Sequence, residues 1–352
     1  MKNHVNNLDA LRVAAALMVI HGHGWDLSGA GGSGLWGVPF ARVGLDVFFS
    51  ISGYLVTASW ARSPQLSLFL AKRALRIFPG LIACVLLTIA VLGPAMTTLP
   101  LSNYFGSPTT AGYLANIALL NQLFLPGVFT GLLERGAVNG SLWSLLPEFL
   151  CYLSVPVFAL LVVRAQVVML VVMAVVCGGI GLAMFYGQSE PVIVMIYHVD
   201  IRYALVEIPF FLIGAALYYL DRQWGESFWR ADVCLVLFCA NYLITAYLDW
   251  WNIPFEWFSL PYMVIAFGRL SLPVLRRASR FGDLSYGLYL YAFPVQQAVL
   301  ATWPQARYPV LLCAVLTVPL AFLSWHLIEK PALQWHRRSQ RTPAAETMTD
   351  KG

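Results

Sequence analysis

Long apolar runs dominate the chain, and polar residues gather in the stretches between them. The runs fall at about 9–25, 43–60, 77–97, 143–163, 167–186, 203–220, 231–249, 254–270, 284–303 and 308–328. Each is close to the ~20 residues a helix needs to cross the hydrocarbon core of a bilayer. A further run, AGYLANIALLNQLFLP at 111–126, is shorter and is interrupted by Asn116, Asn121 and Gln122. It reads as a re-entrant or interfacial helix inside one long loop, 98–142, and long loops with their own helix are usually functional. The pattern predicts an all-α polytopic membrane protein with about ten transmembrane helices.

Composition supports that class. Of 352 residues, 59% are hydrophobic and 11% charged, against about 25% charged in soluble domains. The net charge of +5 matters less than where Lys and Arg lie. With the N-terminus inside, 17 of the 22 fall in cytoplasmic segments or at inner helix ends. Only Arg42, Arg135, Arg202 and Arg307 lie outside, with Arg12 set aside as intramembrane. That asymmetry predicts ten spans with both termini cytoplasmic, and it accounts for the basic balance without a nucleic-acid partner. Residues 1–331 then form the transmembrane domain, and 332–352 a short, polar, disordered cytoplasmic tail. Arg12 interrupts any signal-peptide core and no small-x-small site follows it, so the first span is expected to stay uncleaved. The six cysteines form no C-x-x-C pair and read as buried thiols, with no metal site.

Against this apolar background a few polar residues stand out. In LDALRVAAALMVIHGHGW, Arg12 and His23 are eleven residues apart, within about 20° of three full turns, so they share one helix face about 16 Å apart. Ionisable residues inside a membrane mark candidate sites, although Arg12 snorkelling to the interface and pairing with Asp9 is the plain alternative. In GLDVFFSISGYLVT, Asp46 and Ser50 share a face, and a buried Asp46 needs a partner such as Arg42 or His23. FLAKRALRIFPG places Lys72, Arg73 and Arg76 in one basic patch at the cytoplasmic entrance to the third span. The patch suits either anchoring or a polyanionic ligand. NGSLWSLLPEFLCYL carries Ser144 and Glu148 four apart, with Asn139 and Trp143 at the rim of the outer loop; Pro147 predicts a kink.

Taken in this order, the four stretches resemble acyltransferase family 3, the membrane-bound O-acyltransferases. The opening stretch is similar to the family's L-D-x-L-R-x10-H, and GLDVFFSISGYL to G-x-D-x-F-F-x-x-S-G-F/Y. FLAKRALRIFP is similar to F-x-x-R-R-x-x-R-I-x-P and SLWSLLPE to S-L-W-S/T-L-x-x-E. DLSYGLYLYAFP and IEKP match two C-terminal signatures. Members modify lipopolysaccharide O-antigen, exopolysaccharide, Nod factors and some antibiotics. Two departures are visible: Ala292 stands where many members have a histidine, and 352 residues leave no room for the hydrolase-like domain many relatives append.

The resemblance implies a multi-pass protein of the cell (inner) membrane. Acyl-CoA, most often acetyl-CoA, would be the donor substrate, with no permanently bound cofactor, and a saccharide or lipid-linked saccharide the acceptor. Homodimerisation is left open. On this reading Lys72, Arg73 and Arg76 bind CoA, and Arg12 guides its arm inward. His23 is the general base, oriented by Glu148 or Asp46, and Ser50 or Ser144 binds the thioester oxygen. The alternative from another class is a proton-coupled transporter or flippase of a glycan precursor or small acid, since intramembrane His, Asp and Glu also serve proton relays.

Overall fold

The computed structural model describes residues 7–29, 34–132, 136–160, 163–187, 193–248, 252–270, 272–273, 275, 280 and 282–339. Among these, ten helices of at least 14 residues occur: α1 (Leu8–Ser28), α2 (Phe40–Arg62), α3 (Leu66–Leu87), α4 (Leu145–Phe158), α5 (Val163–Tyr186), α6 (Ile201–Trp224), α7 (Ala231–Leu248), α8 (Asn252–Arg269), α9 (Ser285–Thr302) and α10 (Pro309–Ser324). They fall on the ten apolar runs. Seven stretches are long and apolar enough to cross a membrane: Phe40–Arg62, Leu66–Met96, Gly140–Phe158, Ala165–Tyr186, Ile201–Phe228, Ala231–Leu248 and Pro309–Trp335. The chain is an all-α polytopic membrane protein.

Helices α1, α8 and α9 are as long but more polar, and packing explains part of the difference. Nearly every residue of α9 from Ser285 to Gln297 is buried, so its composition answers to protein neighbours rather than to lipid. The same logic separates α6, 72% buried over its most apolar window, from α7, 6% buried, which faces outward with Leu235, Val236 and Tyr242 exposed.

Helix α2 is the hub, packed between α1 and α6. Glycines permit the close approach: a Cβ on Gly53 would sit 2.0 Å from the Phe211 carbonyl oxygen, and one on Gly214 would sit 2.3 Å from that of Ser50. Small residues at such crossings are the usual solution in membrane helix pairs. Two short hairpins introduce the two central helices. Strands β1 (Gly34–Leu35) and β2 (Val38–Pro39) lead into α2, and β3 (Met195–Ile196) and β4 (Val199–Asp200) lead into α6. Both turns place two successive residues at positive φ, Trp36–Gly37 and Tyr197–His198, the geometry of two-residue hairpins.

Three local expectations are corrected. Pro147 does not interrupt an α-helix: Gly140–Ser144 is 3-10 helix, and the α-helix begins at Leu145, so Pro147 lies in its first turn, where its missing donor goes unused. The last helix does not stop at Glu329–Lys330–Pro331. A π-turn, Trp325–Glu329, resets the register, and helix continues over Lys330–Ser339, so 332–339 is not disordered. The run at 111–126 is only partly helical: Pro108–Gly112 and the 3-10 turn Tyr113–Ala118 end at Leu119, which has positive φ.

Candidate functional site

Alternating helix directions bring to one end of the bundle the start of α1, the end of α2, the start of α3 and the end of α4. There they enclose a cavity of about 850 Å³, within the range of small-molecule sites. Five cations line it: Arg12, Arg62, Lys72, Arg73 and Arg76; Ser52, Tyr152 and Leu333 complete the wall. The basic patch of α3 and Arg12 of α1 therefore meet in one place.

The cations are not equivalent. Arg76 is ion-paired with Asp283 at 2.7 Å and lies 3.6 Å from Glu329, while Arg12 reaches the same Asp283 oxygen at 3.1 Å. Asp283 also accepts from Ser285 at 2.7 Å. Burial by itself would raise the Asp283 carboxyl; Arg12 and Arg76 outweigh it and hold that carboxyl well below the usual range. Arg12 thus pairs across the fold rather than with Asp9. Arg62, Lys72 and Arg73 make no ion pair among the described residues. The Arg73 guanidinium rests on the rings of Phe69 and Tyr152, 5.9 and 5.8 Å from their centroids.

Asp283 and Glu329 open DLSYG and stand in IEKP, yet sequence reasoning gave neither a role. The available signal was a carboxylate in each C-terminal signature of a chain whose basic patch needed counter-charges.

From this cavity a line of side chains on α9 runs toward the other end: Tyr286, Tyr289, Phe293 and Gln296, spaced 3, 4 and 3 and so on one face. Tyr286 lies under Arg76, 5.4 Å from guanidinium to ring, and donates to the Ile77 carbonyl. Tyr289 donates to the Ser141 carbonyl at 2.7 Å and is hydrogen-bonded to Ser144. The Phe293 ring meets His23 edge-on at 5.5 Å, and Gln296 donates to the Ile20 carbonyl. Helices α1 and α9 run parallel, so Arg12 beside Asp283 and His23 beside Phe293 are matched steps, eleven residues on one helix and ten on the other. The shared face of Arg12 and His23 is real, and His21 turns away to Phe40 of α2. Within the described residues the His23 ring nitrogens have no hydrogen bond. Ala292 packs in a small cluster with Ala16 and Ile20.

The other candidates are placed elsewhere. Glu148 accepts from Ser52 at 2.8 Å and from Tyr152, which puts it behind two residues of the basic cavity's wall rather than beside His23. Asp46 faces Glu207 and Arg42 on the α6 side of α2. Neither orients the imidazole; the carboxylate whose charge reaches His23 is Asp26, three residues on. Ser50 donates to the Asp46 carbonyl at 2.7 Å, so its hydroxyl hydrogen is already engaged. Asn139 is fully buried, donating to the Leu290 carbonyl at 2.9 Å and capping the 3-10 turn at Ser141. Trp143 lies tilted against Tyr203, 5.9 Å between ring centroids.

Comparison with known proteins decides the class. The model of an acyltransferase domain, acyltransferase family 3, matches residues 5–326. The chain belongs to acyltransferase family 3. It is 33% identical to an O-acetyl transferase of Shigella phage Sf6, covering 92% of this chain and 95% of the relative. It is 30% identical to nodulation protein 10 of Rhizobium leguminosarum bv. viciae, covering 94% of each. No solved structure matches. This family-3 protein is an acyltransferase enzyme of the membrane.

Proposed function

We propose that the protein moves an acyl group, acetyl by default, from cytoplasmic acyl-CoA to a hydroxyl of a sugar in a surface glycan or glycolipid. The observation that carries this reading is the 850 Å³ cavity with five cations, two of them tied to carboxylates and three unpaired. A ligand with several phosphates suits that imbalance, because arginine forks onto phosphate oxygens in charge-assisted pairs. The basic end is the cytoplasmic one on the distribution of Lys and Arg, which also favours ten spans, both termini inside, in the cell membrane.

CoA phosphates sit against Arg73, Lys72 and Arg62, and the acyl-bearing arm extends along Tyr286 and Tyr289 toward His23, about 16 Å up α1. The neutral imidazole takes the proton of the acceptor hydroxyl as its oxygen attacks the thioester carbonyl carbon. The C–S bond then breaks, and the imidazolium returns the proton to the departing CoA thiolate. Glu148 acts at the donor cavity, holding Ser52 and Tyr152 under Arg73. The test is transfer of label from radiolabelled acetyl-CoA to a glycan or glycolipid fraction in membranes. Wild type is expected to transfer and His23→Ala to bind donor without transferring. Undiminished transfer by His23→Ala would sink the assignment of the base.

A further inference from the structure

Between α2, α6 and α8 lies a group of charged side chains that the proposed transfer does not use: Arg42 and Asp46 of α2, Glu207 of α6 and Glu256 of α8. Asp46 is 0% exposed, Glu256 2% and Glu207 3%. Glu207 Oε1 lies 3.5 Å from Arg42 Nε. Asp46 faces Glu207 within hydrogen-bonding reach, and Glu256 faces both Arg42 and Glu207. Even so, both Asp46 carboxyl oxygens, Glu207 Oε2 and Glu256 Oε1 have no donor among the described residues.

Buried polar atoms of this kind normally have partners, and the chemistry names the missing one. Ionised carboxylates accept but cannot donate, so Asp46 and Glu207 satisfy each other only with a proton between them. The charge count agrees. Three carboxylates surround one guanidinium, two negative charges in excess. The other groups around them do not make up the difference among the described residues. Arg202, at the start of α6, is paired with Asp200 and rests on Phe185. His21 of α1 lies against the rings of Phe40 and Trp25. Tyr186 of α5 faces Arg42 and Tyr289 of α9 faces Glu207, and neither supplies a positive charge. Carboxylates crowded in this way do not all ionise together, and two protons bring the group to neutrality. Water supplies hydrogens but leaves the excess charge, and a metal cation is repelled by Arg42.

A cavity of about 220 Å³ leads to the group from the end of the bundle away from the basic cavity. Arg42 and Glu207 help to line it, together with Tyr186 and Tyr203, which are 66% and 51% exposed. We infer that Asp46, Glu207 and Glu256 together bind two exchangeable protons, taken through this cavity, and that α2, α6 and α8 stay closely packed only while those protons are bound. Glu207 is the member that meets the cavity, so exchange passes through it. The α2–α6 crossing one turn further on has no slack, since a Cβ on Gly214 would lie 2.3 Å from the Ser50 carbonyl oxygen. Loss of the protons sets three negative charges against one positive charge beside that crossing. The site does not depend on the acyl-CoA reading.

The test is infrared difference spectroscopy on the purified full chain, following the carbonyl stretch of protonated carboxyl groups and its shift on transfer into heavy water. At neutral pH, wild type minus Asp46→Asn and wild type minus Glu256→Gln should each show one protonated carboxyl. Glu256→Gln keeps the shape of the side chain and serves alone if Asp46→Asn does not fold. Thermal melting of the same samples gives a second reading. Unfolded carboxyls release their protons at about pH 4. A folded state that keeps two protons at neutral pH therefore loses stability as pH rises above that value. Wild type should melt progressively lower from mildly acidic to alkaline pH, and Glu256→Gln should lose part of that slope. Absence of a protonated carboxyl from the difference spectra, or a melting slope that ignores Glu256→Gln, would overturn the inference. Melting that responds to sodium instead of acidity would overturn it too, by placing a metal cation in the group. No donor is present in these samples, so failure of the protein to bind acetyl-CoA would leave the result standing.

Discussion

Replacing Arg73 by alanine and Arg76 by alanine should damage different properties, although both residues lie on one face of α3. Arg76 is enclosed by carboxylates, with Asp283 at 2.7 Å and Glu329 at 3.6 Å, and Glu329 is 2% exposed. Removing it leaves buried charge without its cation, a change that costs about 3–5 kcal/mol when a buried pair is broken from one side. Asp283 keeps Arg12 and Ser285, which puts the expected loss at the lower end, about 3 kcal/mol. Arg73 has no carboxylate partner and rests on two rings, so its loss should leave folding nearly unchanged. If it grips CoA phosphate, one hydrogen bond to a charged group is worth about 1.5–3 kcal/mol, roughly a tenfold to hundredfold weaker donor affinity. The assay pairs binding of radiolabelled CoA to purified protein with thermal denaturation of the same samples. Arg73→Ala should bind weakly and melt as wild type does; Arg76→Ala should melt several degrees lower. Lysine at 73 should recover only part of the affinity, since an ammonium lacks the planar fork. Wild-type affinity in Arg73→Ala, together with wild-type melting in Arg76→Ala, would refute the division of labour.

Three further outcomes follow from the geometry. Gly53→Ala should destabilise the protein by at least about 1–3 kcal/mol, the usual cost of overpacking, because its Cβ would meet the Phe211 carbonyl; Gly106→Ala, with nothing within 4 Å, is the control, and both are read by thermal melting. Tyr289→Phe should cost about 1 kcal/mol by removing the shorter of the two hydroxyl hydrogen bonds to the buried Ser141 carbonyl, the 3.5 Å one from Ser144 remaining. Asp283→Asn should show a pH signature: the native carboxyl is depressed, so its stabilisation is complete above the unfolded value near 3.9 and lost as pH falls through the folded one. The melting difference between wild type and Asp283→Asn should therefore be constant at neutral and mildly acidic pH and shrink only below about 4.

The sequence made the helices legible because apolar length and helical spacing are local properties. Arg12 and His23 could be set on one face by counting turns, and both do meet α9. What those residues touch was not legible. Four-residue spacing put Ser144 and Glu148 on one face, yet Ser144 joins Tyr289 and Glu148 joins Ser52, because the 3-10 stretch before Leu145 advances the chain by a different angle. For Asp46 the sequence offered Arg42 or His23; the rotation of α2 keeps it with Arg42 and turns it toward Glu207, which spacing within α2 does not reveal. Asp283 and Glu329 escaped notice because their role is set by Arg76, more than 200 residues earlier. Proline misled at Pro147, which falls in the first turn of a helix whose start is fixed by the preceding 3-10 segment.

The central claim is that donor phosphates occupy the basic cavity and the acyl arm follows α9 to His23. An experimental structure of the wild-type protein with coenzyme A bound tests it most directly. The account predicts phosphate oxygens within hydrogen-bond distance of Arg73 and the thiol end beyond Tyr289, on the His23 side. Coenzyme A bound outside the cavity, or with its thiol turned away from His23, would contradict it.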